Sequence, residues 1–121
     1  MTAVSGKLST HALDLTLGRP AAALKLELWQ LDPAGGRALL KTVATNADGR
    51  TDAPLLAATE MAAGTYELVF FVGDYFGANA PDRTEKFLDQ VPVRFNLADA
   101  SAGYHVPLLF TPWAYSTYRG S

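Results

Sequence analysis

The chain has no cysteine, and only two methionines and two histidines among its 121 residues. Without cysteine there is no disulfide frame and no thiolate nucleophile. A bias of charge is missing too: ten Lys and Arg stand against twelve Asp and Glu, a net charge of −2 with the signs scattered. No basic stripe exists to neutralise phosphates, which excludes a nucleic-acid surface. No apolar run nears the roughly 20 residues of a membrane span, so no membrane is expected as a partner. The opening MTAVSGKLSTHALD lacks the basic start and continuous apolar segment of a secretory signal, and the last three residues are not the peroxisomal Ser-Lys-Leu. The expected location is the cytoplasm.

What is present favours a folded β protein. Hydrophobic residues make up 49% and charged residues 18%, the balance of a chain that builds one core. Its length suits a single domain over residues 1–121. Leu24 to Leu31 (LKLELWQL) alternates, with Leu24, Leu26 and Leu28 predicted inward and Lys25, Glu27 and Trp29 outward. Asp32 to Gly36 is turn chemistry, and Ala38 to Thr45 is the expected returning partner. Thr65 to Val72 is apolar on both faces except at Glu67, as suits a central strand. Val91 to Leu97 alternates again, and Pro92 places it at a sheet edge. A strand over Lys7 to Asp14 and a final hairpin from Tyr104, split by Pro112, complete seven or eight short strands. That pattern predicts an all-β, antiparallel β-sandwich. Helical marks occur only over Gly73 to Gly77 and over Pro81 to Leu88.

The residues able to do chemistry are few. On the first strand Ser9, His11 and Leu13 share one face and Leu8, Thr10 and Ala12 the other. Asp14, three residues beyond His11, leaves the opposite face, so it is poorly placed to orient that imidazole. Arg50 follows Asp48-Gly49, a pair that favours a tight turn because the turn needs positive φ. On the last hairpin Tyr104, Val106, Leu108 and Phe110 share the core face, which puts His105 on the other. The sequence then closes on Tyr118-Arg119-Gly120-Ser121, polar groups attached directly to an apolar run. A tail of that kind reads as part of a site.

Collected, LSTHALD, NADGR, YHVPLL and the terminal YSTYRGS resemble the 5-hydroxyisourate hydrolases, the enzymatic branch of the transthyretin-like family. The likeness spans essentially the whole chain. The departures are Phe110-Thr-Pro-Trp-Ala114 and a longer stretch over residues 77–90, and neither touches a candidate catalytic residue. The resemblance implies a transthyretin-like (prealbumin-like) sandwich of about eight strands with one short helix at Gly73 to Asn79. It implies a homotetramer, a dimer of dimers with a channel and active sites at its mouths. The implied reaction opens the six-membered ring of 5-hydroxyisourate at its lactam, in urate degradation.

Lactam hydrolysis needs activated water, a stabiliser for the tetrahedral oxyanion and a proton for the departing nitrogen. His11 and His105 are assigned the proton work, without a division into acid and base. Arg50 is assigned the substrate carbonyls and the developing charge. Ser121 would serve through its hydroxyl and a terminal carboxylate. Tyr118 and Arg119 would hold the tail and, with Gly120, meet substrate, and Gly120 would also let the backbone turn. No metal and no cofactor are expected, since two histidines without a carboxylate cluster make a poor zinc set. The alternative on the same fold is a non-catalytic carrier of a small hydrophobic ligand, which would prefer an apolar channel to histidines and arginine.

Overall fold

The computed structural model describes residues 6–80 and 86–121. In chain order these form β1 (Leu8–Ser9), β2 (Ala12–Asp14), β3 (Arg19–Pro20), β4 (Lys25–Leu31), β5 (Arg37–Ala44), β6 (Gly64–Phe70), helix α1 (Val72–Asn79), β7 (Val91–Leu97), β8 (Tyr104–His105), β9 (Leu108–Phe110) and β10 (Tyr115–Ser116). The predicted first strand is β1 and β2 with a short interruption, and the first half of the final hairpin is β8 and β9. With each interrupted pair counted as one strand, the described residues hold eight.

One sheet has the order β5-β4-β6-β7, antiparallel throughout. The other has the order β10-β9-β2-β3, with β1 and β8 extending the β2–β9 pairing. Two of its pairings depart from the antiparallel expectation, since β1–β8 and β2–β9 run parallel. The amides of Tyr104, Val106 and Leu108 donate in turn to the carbonyls of Lys7, Ser9 and His11. That ladder carries the pairing through both interruptions. It makes the two histidine-bearing segments neighbours.

Alternation supplies the core. Leu24, Leu26 and Leu28 are fully buried, as are Leu68 and Phe70 of β6 and Leu108 and Phe110 of β9. Each such side chain contributes about 1.5–3 kcal/mol when taken from water. β6 is an inner strand, and its Glu67 points outward, where it meets Arg94 at 3.0 Å and Arg37 at 3.6 Å. Pro92 lies on β7, an outermost strand, where its missing N–H costs no ladder bond. The helix forms at Val72–Asn79, matching the Gly73 to Asn79 expectation. It sets Tyr75 and Phe76 edge-on against Phe110, at 5.6 and 5.5 Å between ring centres. Of the alternative helical stretch, residues 81–85 lie outside the described residues, and residues 86–88 are not helical.

Asp14 is the fully buried carboxylate of this framework. It accepts the backbone N–H groups of Thr16 and Leu17, at 2.9 and 3.1 Å, and the phenol of Tyr75 at 2.8 Å. It therefore ties β2 to α1 and, as its position on the strand indicates, leaves His11 alone. Burial, followed by the bond to Asp14, pushes the Tyr75 phenol up to about 12. The phenol stays a neutral donor across the whole physiological range.

Candidate active site

His11 and His105 come from strand ends and Arg50 from a turn, and the β1–β8 and β2–β9 pairings make the two histidine-bearing segments neighbours. Register does the work for His105: Ser9 and His105 are direct partners across the parallel strands. Neighbouring residues in register share a face, so the imidazole reaches the Ser9 hydroxyl, with 2.9 Å between Oγ and Nδ1. Thr10, on the opposite face, is buried and donates to the Val106 carbonyl at 2.7 Å, so its hydroxyl enters the core satisfied.

The turn before Arg50 is built by Asn46. Its Oδ1 accepts from the amides of Asp48 and Arg50, at 2.9 and 3.2 Å, while its Nδ2 donates to Asp52 at 3.0 Å. Gly49 has φ of 75°, and any Cβ there would run into the Ala12 carbonyl oxygen. The Ala12 amide in turn donates to the Gly49 carbonyl at 2.8 Å. The loop is thereby docked against β2, and Arg50 starts from a fixed backbone. Among the described residues no carboxylate lies within ion-pair distance of the Arg50 guanidinium.

His11 fastens the same turn. Its Nε2 is 2.9 Å from the Asp48 carbonyl oxygen. A carbonyl can only accept, so Nε2 carries the hydrogen, and Nδ1 holds the lone pair of the neutral ring. The pKa of His105 is lowered, first by burial and then by the positive charges of Arg50 and of protonated His11. The neutral imidazole able to take a proton is thus favoured near neutral pH. The contacts link the three in steps: His105 meets Ser9, Ser9 lines one cleft with Arg50, and His11 holds the turn that precedes Arg50, while neither histidine lines that cleft.

The tail is held without slack. Thr117 Oγ1 donates to the Pro107 carbonyl at 2.7 Å, and the Gly120 and His105 backbones exchange hydrogen bonds of 2.7 and 3.1 Å. Gly120 is needed for closeness. Its φ is not among the positive ones, but a Cβ there would sit 3.0 Å from His105 Cβ and 3.3 Å from Cδ2. Ser121 follows directly, and a Cβ at Gly103 would lie 3.6 Å from its carbonyl carbon.

Tyr118 and Arg119 do not join the histidines. They line a cleft of about 270 Å³ with Val93, Phe95, Tyr104 and Val106, on the face of β8 away from His105. Arg119 donates to the Gly103 carbonyl at 3.1 Å and stacks its guanidinium 4.4 Å over the Tyr104 ring. Arg119 thereby holds the tail, while Tyr118 is largely exposed. Ser9 and Arg50 instead line an open cleft of about 250 Å³ with Lys7, Thr10 and Asp52. A larger groove of about 660 Å³, between the β4–β5 hairpin and the start of β6, contains none of the candidates.

Sequence reasoning singled out neither Ser9 nor Asn46. Ser9 left a signal, since it shares a strand face with His11. Asn46 left one in the Asn-x-Asp-Gly spacing, where a side-chain carbonyl can bind amides two residues on. Among the described residues no three His, Cys, Asp or Glu side chains cluster as metal ligands. No helix among them is long and apolar enough to cross a membrane.

A sandwich of this topology, with a polar site at one sheet and a clamped C-terminal segment, defines a transthyretin-like protein. Residues 8–120 match the HIUase/Transthyretin family, and the chain belongs to that family. It is 56% identical over 119 residues to the 5-hydroxyisourate hydrolase of Mesorhizobium japonicum, covering 96% of this chain and 93% of the relative. It is 55% identical over 120 residues to 5-hydroxyisourate hydrolase 2 of Rhizobium meliloti, covering 97% and 98%. Among solved structures, the 5-hydroxyisourate hydrolase of Klebsiella pneumoniae superposes with a TM-score of 0.78 at 34% identity, over 96% of this chain and all of that one.

Proposed function

We propose that this chain is a 5-hydroxyisourate hydrolase of urate degradation, acting as one domain. It opens the six-membered ring of its substrate to give 2-oxo-4-hydroxy-4-carboxy-5-ureidoimidazoline. The observation that carries this reading is the set of contacts that ties His11 to the turn before Arg50 and His105 to Ser9, which shares a cleft with Arg50, in a chain more than half identical to named hydrolases over nearly its whole length. A carrier of hydrophobic ligands would have no use for two held imidazoles beside a clamped turn whose guanidinium, among the described residues, meets no carboxylate.

In the proposed reaction the water oxygen bonds to the lactam carbonyl carbon and its proton passes to the histidine pair. Arg50 meets the oxyanion of the tetrahedral intermediate with its fork of donors. The carbon–nitrogen bond then breaks, and the departing nitrogen takes a proton back from the pair. One water is consumed and the ring is opened. Ser121 is proposed to meet substrate or water through its hydroxyl, carried there by the Gly120–His105 pairing. Arg119 is proposed to act on the substrate through the tail it anchors, and Tyr118 from the cleft it lines beside it.

The reading includes a cytoplasmic homotetramer, a dimer of dimers. Its support is the outward apolar set Leu15, Leu17, Trp113 and Tyr115, each at least 44% exposed. A hydrophobic set of that size, on β10 and on the turns that follow β2 and β9, calls for a partner. Light scattering of the purified chain at four times the monomer mass is the expected result.

Activity is tested by the ultraviolet decay of 5-hydroxyisourate generated in place from urate and urate oxidase. The native chain should accelerate the decay, and His105→Asn should lose on the order of 10² to 10⁴ in turnover, the range of general acid–base catalysis. A folded native chain that leaves the decay at background would sink the hydrolase reading.

A further inference from the structure

The two imidazoles are held by chemically different partners. At His11 a backbone carbonyl fixes the hydrogen on Nε2. At His105 the partner is the Ser9 hydroxyl, 2.9 Å from Nδ1, and Ser9 Oγ has no other hydrogen-bond partner among the described residues. A hydroxyl can accept as well as donate. When the His105 ring is protonated both of its nitrogens carry hydrogen, so Ser9 must accept. If it also accepts in the neutral form, one bond persists through the whole proton cycle. The ring then need not turn, and the neutral lone pair falls on Nε2.

We infer that Ser9 is a positioning residue: its hydroxyl accepts from the Nδ1–H of His105, sets the angle of the ring, and leaves Nε2 as the nitrogen that exchanges protons with water and substrate. The inference rests on the proposed hydrolase reaction and on His105 as its proton carrier. Backbone geometry supports it independently. Ser9 is the register partner of His105, its carbonyl accepts from Val106 N at 2.9 Å, and Gly120 holds the other side of the His105 backbone. The hydroxyl has little freedom to miss. Ser9 also lines the cleft that Arg50 lines, so its own hydrogen, free when the oxygen accepts, is available to that space. The two histidines therefore offer opposite nitrogens, Nδ1 at His11 and Nε2 at His105.

The test uses the full chain with Ser9→Ala and Ser9→Thr, the second keeping a hydroxyl on the strand. Ser9→Ala should lower kcat about 10-fold, the scale of one hydrogen bond to a charged group, with KM little changed. Imidazole ¹⁵N spectra should show Nδ1–H for His105 in the native chain and a shift towards Nε2–H in Ser9→Ala. Ser9→Thr should restore both. The group charges acting on His105, Arg50 and His11, are unaltered in either variant, so a changed pH–kcat profile reports the lost bond. A folded Ser9→Ala with native kcat, an unchanged ¹⁵N pattern, or a Ser9→Thr as slow as the alanine variant would overturn the role. If the native chain itself is inert while the Ser9-dependent ¹⁵N shift is seen, the hydrolase reading fails and takes the role with it, though the bond stands.

Discussion

Gly120 and His105 exchange both of their backbone hydrogen bonds, so the C-terminal segment is locked to the residue that carries the deeper imidazole. The lock works only because position 120 has no side chain. The space beside it is filled by His105 Cβ and Cδ2.

Gly120→Ala should therefore act on the ring more than on the fold. Relieving the overlap shifts the tail or the imidazole by tenths of an ångström, at about 1–3 kcal/mol for overpacking. Misplacing a catalytic group on that scale should cost up to about 100-fold in turnover. Urea unfolding and the 5-hydroxyisourate decay assay, run on the same preparation, separate the two effects.

The lowered His105 pKa fixes the sign of a pH dependence. The folded chain binds fewer protons at this site than the unfolded chain, whose histidine titrates near 6.5. His105 thus contributes stability that is fully present above the unfolded pKa and is lost as pH falls towards the depressed folded value. Below that value there is no further change. Burial is the leading cause, with Arg50 next and His11 third. Arg50→Gln should raise the His105 midpoint in an NMR titration, and an unmoved midpoint would show that the guanidinium does not face the ring.

Tyr75→Phe removes the only side-chain donor to Asp14 among the described residues and strands one oxygen of a fully buried carboxylate. The expected loss is about 1–3 kcal/mol, the cost of an unsatisfied buried polar group. Chemical denaturation should show it as a lower midpoint with an unchanged slope.

Gly49→Ala challenges both the backbone and the space around it. The residue has positive φ and abuts the Ala12 carbonyl. Destabilisation should exceed about 1 kcal/mol, the scale set by glycine sites whose conformation alanine cannot adopt. Because the turn carries Arg50 and the carbonyl that holds His11, kcat/KM should fall as well. Full activity with reduced stability would mean that Arg50 does not depend on this turn for its position.

Much of this was legible in the chain itself. Alternating Leu24, Leu26 and Leu28 identified a one-sided strand because period-two burial is a local property. Pro92 marked an edge for the same reason. The faces of His11 and His105 followed from counting residues along two strands. What counting could not supply was how those strands meet. The parallel register that sets Ser9 opposite His105 joins residues 96 apart in sequence, and no local pattern encodes it. Arg119 is a related case: the residues after β10 leave the regular strand, so alternation does not say that the guanidinium turns to Tyr104. Gly120 was read as a hinge because glycine most often supplies backbone freedom. Here it supplies room.

The parallel ladder between the first and last strands also bears on how the protein comes into being. A chain emerging from the ribosome carries Ser9 and His11 long before Tyr104 and His105 exist to pair with them. The β4–β5 hairpin and the β2–β3 pairing can close early, but the strand beside His11 gains its parallel neighbour only after nearly the whole chain has been made. Non-local pairing of that kind is slow to form. A half-made chain would have a hydrophobic sheet and no activity, so the appearance of turnover would report completion of the fold itself.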